Sequence, residues 1–358
     1  VGASTPLACG DTVEALLSAD PDPDDDAEQA SLDDAAAAVS EECAAEDAEL
    51  LAHVGTDDVA RDMEAIRRAL GDEPLNFLGY SYGTHIGQVY AEMYPEHVRA
   101  MVLDGVVDPA LGFQEFLLGQ VEAFDAAFDR DIAACGDAGP KQCGVADLGA
   151  AYDQVRAMVE QRPLRGGDRP VGPSELATAA IQTGYGSDGW TDLGPALAAA
   201  LDGDGGPLWD LAASYYDFGG FTSYAAVECI DTPPPSGPDA YRSFADAARE
   251  RSPRFGGSVA NELASCATWP ARPVGSPAPI RAEGAPPILV VGNTGDAATP
   301  YRNAVDVAGV LSSGVLLTVQ LDGHTAYRRD RCATSAIDGY LVDLTLPGAD
   351  QPEAESGQ

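Results

Sequence analysis

The stretch Leu75-Asn76-Phe77-Leu78-Gly79-Tyr80-Ser81-Tyr82-Gly83-Thr84 decides how the chain folds. Its first four residues are a short apolar run that predicts a buried strand. Downstream, Ile86, Val89, Tyr90 and Met93 recur at the spacing of one helix face. Between them a serine sits on a strand-to-helix turn, with a glycine two positions away on either side. Small neighbours are expected because a side chain at either glycine would crowd the strained backbone that pushes Oγ outward. The helix that follows aims its first amides at negative charge developing beside that hydroxyl. In a chain with 39 glycines a bare G-x-S-x-G carries little information. The strand before it and the helix after it supply the meaning.

A turn of this kind is the nucleophile elbow of the α/β-hydrolase fold, a mostly parallel sheet flanked by helices, in which the partners follow in the order serine, acid, histidine. A serine hydroxyl needs a base to take its proton, and the base needs an acid to orient it. Of the four histidines, 53, 85, 97 and 324, only His324 comes late enough. It follows the β-rich run Val315-Leu316-Leu317-Thr318-Val319-Gln320 on a glycine-loosened loop, where the base is expected. The acid should follow the preceding strand, Pro287-Ile288-Leu289-Val290-Val291-Gly292, and Asp296 does so. Thr299-Pro300 then predicts a helix start, with threonine as N-cap and proline at the first helical position. The rival acid is Asp104, at the end of the strand Ala100-Met101-Val102-Leu103; we expect its carboxylate to bond its own loop around Gly105. His85 lies one helical turn past Ser81, poorly placed as the base. His97 reads as a helix-to-strand connector, and His53 has no chemistry beside it.

The chain carries 58 acidic and 20 basic residues, a net charge of −38, with Lys141 its only lysine. That balance argues against nucleic acid and anionic membrane as partners, both being polyanions. The dense acidic cluster at 20–34 lacks the spaced ligands and turn glycine of a calcium loop and reads as an exposed loop. Cysteines at 9, 43, 135, 143, 229, 266 and 332 show no C-x-x-C spacing, so neither a zinc site nor another cofactor is expected. Pairing neighbours would join Cys9 to Cys43, Cys135 to Cys143 and Cys229 to Cys266, leaving Cys332 single; other connectivities stay open. So many cysteines fit an oxidising compartment. No run of 18 apolar residues exists to span a membrane.

Residues 1–74 hold no β-run, only loops and acidic, alanine-rich helix, including a helix expected at 56–70. Since the nucleophile of this fold follows the fifth strand, the first strands and a signal peptide are expected upstream of Val1. More than 170 residues separate the strands at 100–103 and 288–292, too many for a simple crossover. They predict a helical lid inserted into the core. The expected division is therefore 1–109 as the first part of the hydrolase core, 110–282 as lid, and 283–358 as the rest of the core. The first lid helix carries Phe113, Phe116, Leu117, Val121, Phe124 and Phe128 on one face, which reads as packing core. The Pro-rich run 272–279 leads back to the sheet.

Nearly the whole chain resembles the secreted tripeptidyl aminopeptidases, serine exopeptidases of this superfamily with a TAP-like C-terminal domain. The similar segments are Val1-Gly2-Ala3-Ser4-Thr5-Pro6-Leu7 with Cys9, the elbow itself, Trp190 with Leu193 and Ala196-Leu197, Glu228-Cys229-Ile230-Asp231, Cys266 with Trp269-Pro270, Gly295-Asp296-Ala297-Ala298-Thr299-Pro300, and Gly323-His324. Two departures stand out. The family's Gly-Gly-Pro-Gly oxyanion segment would precede residue 1, and Pro347-Gly348 is followed by Ala349-Asp350 where a cysteine is usual, which removes the expected partner of Cys332. The resemblance implies secretion and hydrolysis of peptides from a free amino terminus. Ser81, Asp296 and His324 would form the triad, and the Tyr82 backbone N–H would supply half of the oxyanion hole. An exopeptidase must also hold the substrate ammonium; Glu228, then Asp231, are the candidates, against a structural role in capping a turn beside a disulfide. A carboxylesterase or lipase, a proline iminopeptidase and a catalytically silent relic of the fold remain as alternatives.

Overall fold

The computed structural model describes residues 7, 9, 12–167, 169–217 and 220–348. The quoted opening residues Val1 to Pro6, and Ala349-Asp350, lie outside them. Contacts divide the chain into two units, one of residues 53–116 with 275–358 and the other of 1–52 with 117–274. The expected boundaries are 109/110 and 282/283; contacts change over at 116/117 and 274/275, and residues 1–52 cluster with 117–274.

The unit of 53–116 and 275–358 is built on four parallel strands: β1 (Leu75–Tyr80), β2 (Val98–Asp104), β5 (Ile288–Gly295) and β6 (Gly314–Asp322), in spatial order β1-β2-β5-β6. Strands β3 (Leu164–Gly166) and β4 (Arg169–Val171) make a separate antiparallel pair in the other unit. β2 and β5 lie in the middle with helices packed on both faces, so their stretches 100–103 and 288–291 read as apolar runs. Side chains alternate between the two faces. Met101, Leu103, Ile288 and Val290 pack against Val89 and Tyr90 of helix Tyr82–Met93 and Ala304 and Val307 of helix Tyr301–Val310. Ala100, Val102, Leu289 and Val291 pack on the other face against Ala333, Ile337 and Tyr340 of helix Arg331–Asp343. Each fully buried Val, Leu or Ile contributes about 1.5–3 kcal/mol, which holds the register Leu103↔Val290 and Val291↔Leu317 that aligns the strand ends.

Helix Thr56–Ala69 forms as its pattern predicts, with Asp57 and Asp58 in the first turn and Arg67 and Arg68 in the last. It docks through a buried ionic cluster. Arg67 grips Glu64 bidentately at 2.8 and 2.9 Å, Tyr90 Oη donates to Glu64 Oε2 at 2.9 Å, and His97 Nδ1 lies 3.2 Å from Glu64 Oε1. The Arg67 guanidinium is the main reason the Glu64 carboxyl is pulled down to about 2.

The unit of 1–52 and 117–274 is chiefly helical and holds three disulfides, Cys9–Cys43, Cys135–Cys143 and Cys229–Cys266. Cys332, in the other unit, is exposed and free. Leu117, Val121, Phe124 and Phe128 are buried as the apolar stripe predicts, with Phe128 edge-on to Tyr152 and Phe255. The acidic cluster is not the expected open loop. Asp25 caps a helix running Asp26–Leu51, and Asp22 is drawn inward by Arg156, at 2.8 Å, and by Arg249. Short-range charge pairing with two arginines distant in sequence overrides the loop-forming composition of that segment. No helix among the described residues is long and apolar enough to cross a membrane.

Candidate active site

Ser81 directly follows β1 and caps helix Tyr82–Met93 with φ 53° and ψ −124°, a conformation that costs a non-glycine residue of order 1–3 kcal/mol. Neighbouring bonds hold it there. Its N–H donates to the carbonyl of Asp104 at 3.0 Å, and its carbonyl accepts from the N–H and the hydroxyl of Thr84, at 2.8 and 2.6 Å. The two flanking glycines differ in what they do. A Cβ on Gly79 would come within 2.5 Å of the Gly83 carbonyl oxygen, whereas one on Gly83 would meet nothing within 4 Å. The expected crowding is real on the strand side only, because Gly83 already lies on the helix with its free position facing open space. Gly87 adds a requirement the motif does not contain, since a Cβ there would press Leu103 and Phe77 at 2.8 Å. Its smallness lets the elbow helix lie close on the sheet.

Tyr82 is the first residue of that helix, where amides have no acceptor within the helix. Its hydroxyl lies 2.7 Å from Thr56 Oγ1.

Asp296 and His324 meet. Asp296 follows β5 directly and His324 lies two residues beyond β6, the parallel neighbour of β5, so the register brings the two ends together. His324 Nδ1 lies 2.9 Å from Asp296 Oδ2 and 3.0 Å from Oδ1, and the carboxylate side chain is 1% exposed. Its remaining acceptor capacity is filled by the backbone N–H groups of Ala298 and Thr299, both 2.9 Å from Oδ1, and by the Thr299 hydroxyl at 3.1 Å from Oδ2. Thr299 is therefore not the helix cap. The helix starts one residue later, at Tyr301 with Pro300 as cap, because the threonine is committed to the buried carboxylate.

Asp104 departs furthest from expectation. Its carboxylate does not bond its own loop. It accepts from the N–H of Ala326, at 3.0 and 3.1 Å, and of Tyr327, at 2.9 Å, on the segment carrying His324. Burial pushes this carboxyl up to about 6, against the lowering effect of those amides and of His324. Gly105, at φ +70°, lies against the imidazole; a Cβ there would stand 2.8 Å from His324 Cε1. The other histidines stand elsewhere. His97 ends the short turn before β2, as a connector should, and its Nδ1 pairs with Glu64. His53 faces Asp58 at 3.5 Å, and His85 lies on the elbow helix beside the Tyr82 ring.

Glu228 and Asp231 belong to helix Phe221–Asp231 in the other unit. Burial, then the charges of Asp231 and Glu262, push the Glu228 carboxyl up to about 8. Glu262 was not foreseen. It accepts from Tyr215 Oη at 2.6 Å and from Tyr224 Oη at 3.4 Å, and burial raises its carboxyl as well. Nothing in Asn261-Glu262-Leu263 marks it out in sequence; only folding brings it to Glu228.

Residues 20–139 match the family described as alpha/beta hydrolase fold, and residues 252–353 match the family described as TAP-like protein. The serine protease Hip1 of Mycobacterium tuberculosis is 36% identical over 321 residues, covering 83% of this chain and 61% of Hip1. The tripeptidyl aminopeptidase of Streptomyces lividans is 32% identical over 363 residues, 96% of this chain and 66% of that protein. Carboxylesterase B of Mycobacterium tuberculosis is 35% identical over 315 residues, 83% of this chain and 60% of the esterase. The chain thus spans roughly three fifths to two thirds of the length of these relatives. With a parallel sheet flanked by helices, a strained serine between strand and helix, and both matched segments, the chain belongs to the α/β-hydrolase family with a TAP-like C-terminal part.

Proposed function

We propose that the chain carries the catalytic machinery of a secreted serine peptidase that hydrolyses peptides from a free amino terminus, in the manner of a tripeptidyl aminopeptidase. The observation that carries this reading is the His324–Asp296 pair, 2.9 Å apart at the ends of adjacent parallel strands, in one unit with a serine held at φ 53°. In this reading Ser81 Oγ attacks the scissile carbonyl while His324 takes its proton, and Asp296 holds the imidazole tautomer. The tetrahedral oxyanion is met by the Tyr82 N–H and by a second amide donor. The intermediate collapses as His324 protonates the leaving amine. Water then cleaves the acyl-enzyme, with His324 again as base. One oxyanion donor is worth about 10²–10³ in turnover, so the second donor matters greatly to the rate.

Glu228 is the candidate for the substrate ammonium that the resemblance implies, and within its own unit the charges of Asp231 and Glu262 act on it. A nearby cation favours the charged form of this carboxyl, which burial pushes up to about 8. The three disulfides suit an oxidising compartment. The similarity to carboxylesterase B favours one second reading, an esterase with the same nucleophile.

In the full-length protein, a fluorophosphonate should label Ser81 and not the Ser81→Ala variant. Unblocked peptide anilides should be cleaved in clear preference to their amino-blocked counterparts and to p-nitrophenyl esters. Equal cleavage of blocked and unblocked peptides by wild type and Glu228→Gln would remove the ammonium anchor. Turnover of esters alone would establish the esterase reading instead.

A further inference from the structure

We infer that Asp104 is a positioning residue for His324, fixing the histidine loop and the serine backbone in one frame; the inference rests on the roles proposed above. Three consecutive amides follow His324. The first, of Thr325, lies 3.5 Å from Asp296 Oδ2, and the next two, of Ala326 and Tyr327, point at Asp104 at 2.9–3.1 Å. Two carboxylates from the ends of β5 and β2 thus share a run of backbone donors. The loop needs such support, for Thr325 and Arg328 sit at φ 65° and 67°, each a conformation disfavoured by roughly a kcal/mol or more.

Asp104 also reaches the nucleophile. Its carbonyl accepts from the Ser81 N–H at 3.0 Å, and the next residue, Gly105, is pinned to the sheet through Val291 O at 3.2 Å, where a Cβ would stand 2.8 Å from His324 Cε1. One dipeptide at the end of the central strand β2 therefore bonds the backbone of the proposed nucleophile and the loop behind the proposed base, and leaves no room for a side chain beside that base's ring. Asp104 is fully buried, and among the described residues its carboxylate takes hydrogen bonds from amides and from no Lys or Arg. An aliphatic side chain would fill that space without the desolvation cost. The gain we assign to the carboxylate is alignment. The titratable groups that act on it electrostatically are His324 on the loop, Asp296 from β5 and Tyr80 from β1.

The test uses full-length protein with Asp104→Asn and Asp104→Glu, following fluorophosphonate labelling of Ser81, kcat and KM on a p-nitrophenyl ester, thermal melting, and the imidazole titration of His324 by NMR. Asp104→Asn keeps one acceptor but turns a donor toward an amide and removes the negative charge. It should slow labelling and kcat at least about tenfold with KM within twofold. The His324 midpoint should fall, because a nearby negative charge that favours imidazolium is gone. Asp104→Glu keeps the charge one methylene out of place, so its labelling should slow while the midpoint stays near wild type; it also supplies the answer if the Asn variant fails to fold. Labelling within threefold of wild type and an unmoved midpoint in a folded variant would overturn the inference, leaving Asp104 a purely structural group. A wild-type protein that fluorophosphonate does not label, but whose His324 midpoint moves on Asp104→Asn, would sink the peptidase reading and keep the positioning role.

Discussion

Replacing Gly105 by alanine tests the geometry of the site without touching any group proposed to react. Two costs follow from the structure. First, φ is +70°, where an L-residue with a Cβ is disfavoured by about 1–2 kcal/mol. Second, the new methyl would stand 2.8 Å from His324 Cε1, against ordinary contact from 3.4 Å, so something must give by at least 0.6 Å (3.4 − 2.8). The glycine cannot easily retreat, because its N–H is bonded to Val291 O in the middle of the sheet. Neither can the sheet, whose β2 and β5 side chains are buried on both faces. The imidazole is the movable part, and a shift of 0.6 Å moves it off a 2.9 Å bond to Asp296. Since a misplacement of about 1 Å is worth about 10²-fold in rate, Gly105→Ala should lower kcat/KM on an ester substrate by about 10- to 100-fold. Melting should fall only modestly, by the backbone term alone. The assay is fluorophosphonate labelling kinetics alongside ester turnover and a thermal melt. A folded Gly105→Ala protein that is labelled within threefold of the wild-type rate would refute the idea that β2 seats the histidine.

Asp296→Asn should lower turnover by about 10³–10⁴ with the fold intact, since a carboxamide can present a donor to Nδ1 and select the wrong tautomer; loss under tenfold, by active-site-titrated kinetics, would remove Asp296 from its role. Glu64→Gln should destabilise the sheet-bearing unit by about 2–3 kcal/mol, less than for a wholly orphaned buried ion, because Asp72 still pairs with Arg67 at 2.6 Å. The Glu64 carboxyl is depressed to about 2, so its stabilisation is present above the ordinary carboxylate value near 4.5 and fades as pH falls toward 2. The stability gap between wild type and Glu64→Gln in urea melts should therefore close over that window, and a gap constant from pH 7 to 2.5 would contradict the ionic account.

How much was legible beforehand depends on the range of the physics involved. Local backbone preference and apolar periodicity act over a few residues, so the sequence alone determined the strand–serine–helix elbow, the β2 and β5 runs, the helix at 56–69 and the stripe of Leu117, Val121, Phe124 and Phe128. Chain order within the fold was enough to point at Asp296 and His324. The destinations of individual polar groups were settled only by the tertiary structure. A buried carboxylate takes whichever donors the packing delivers, and these come from anywhere in the chain: Asp104 finds amides 222 and 223 residues away, and Asp22 finds arginines 134 and 227 residues away. Thr299 left its expected cap position for the same reason, drawn to the carboxylate of Asp296. Glu262 joined Glu228 with no local pattern to announce it. Desolvation makes such pairings obligatory, yet spacing along the chain carries no trace of them, because what selects the partner is distance in the folded protein.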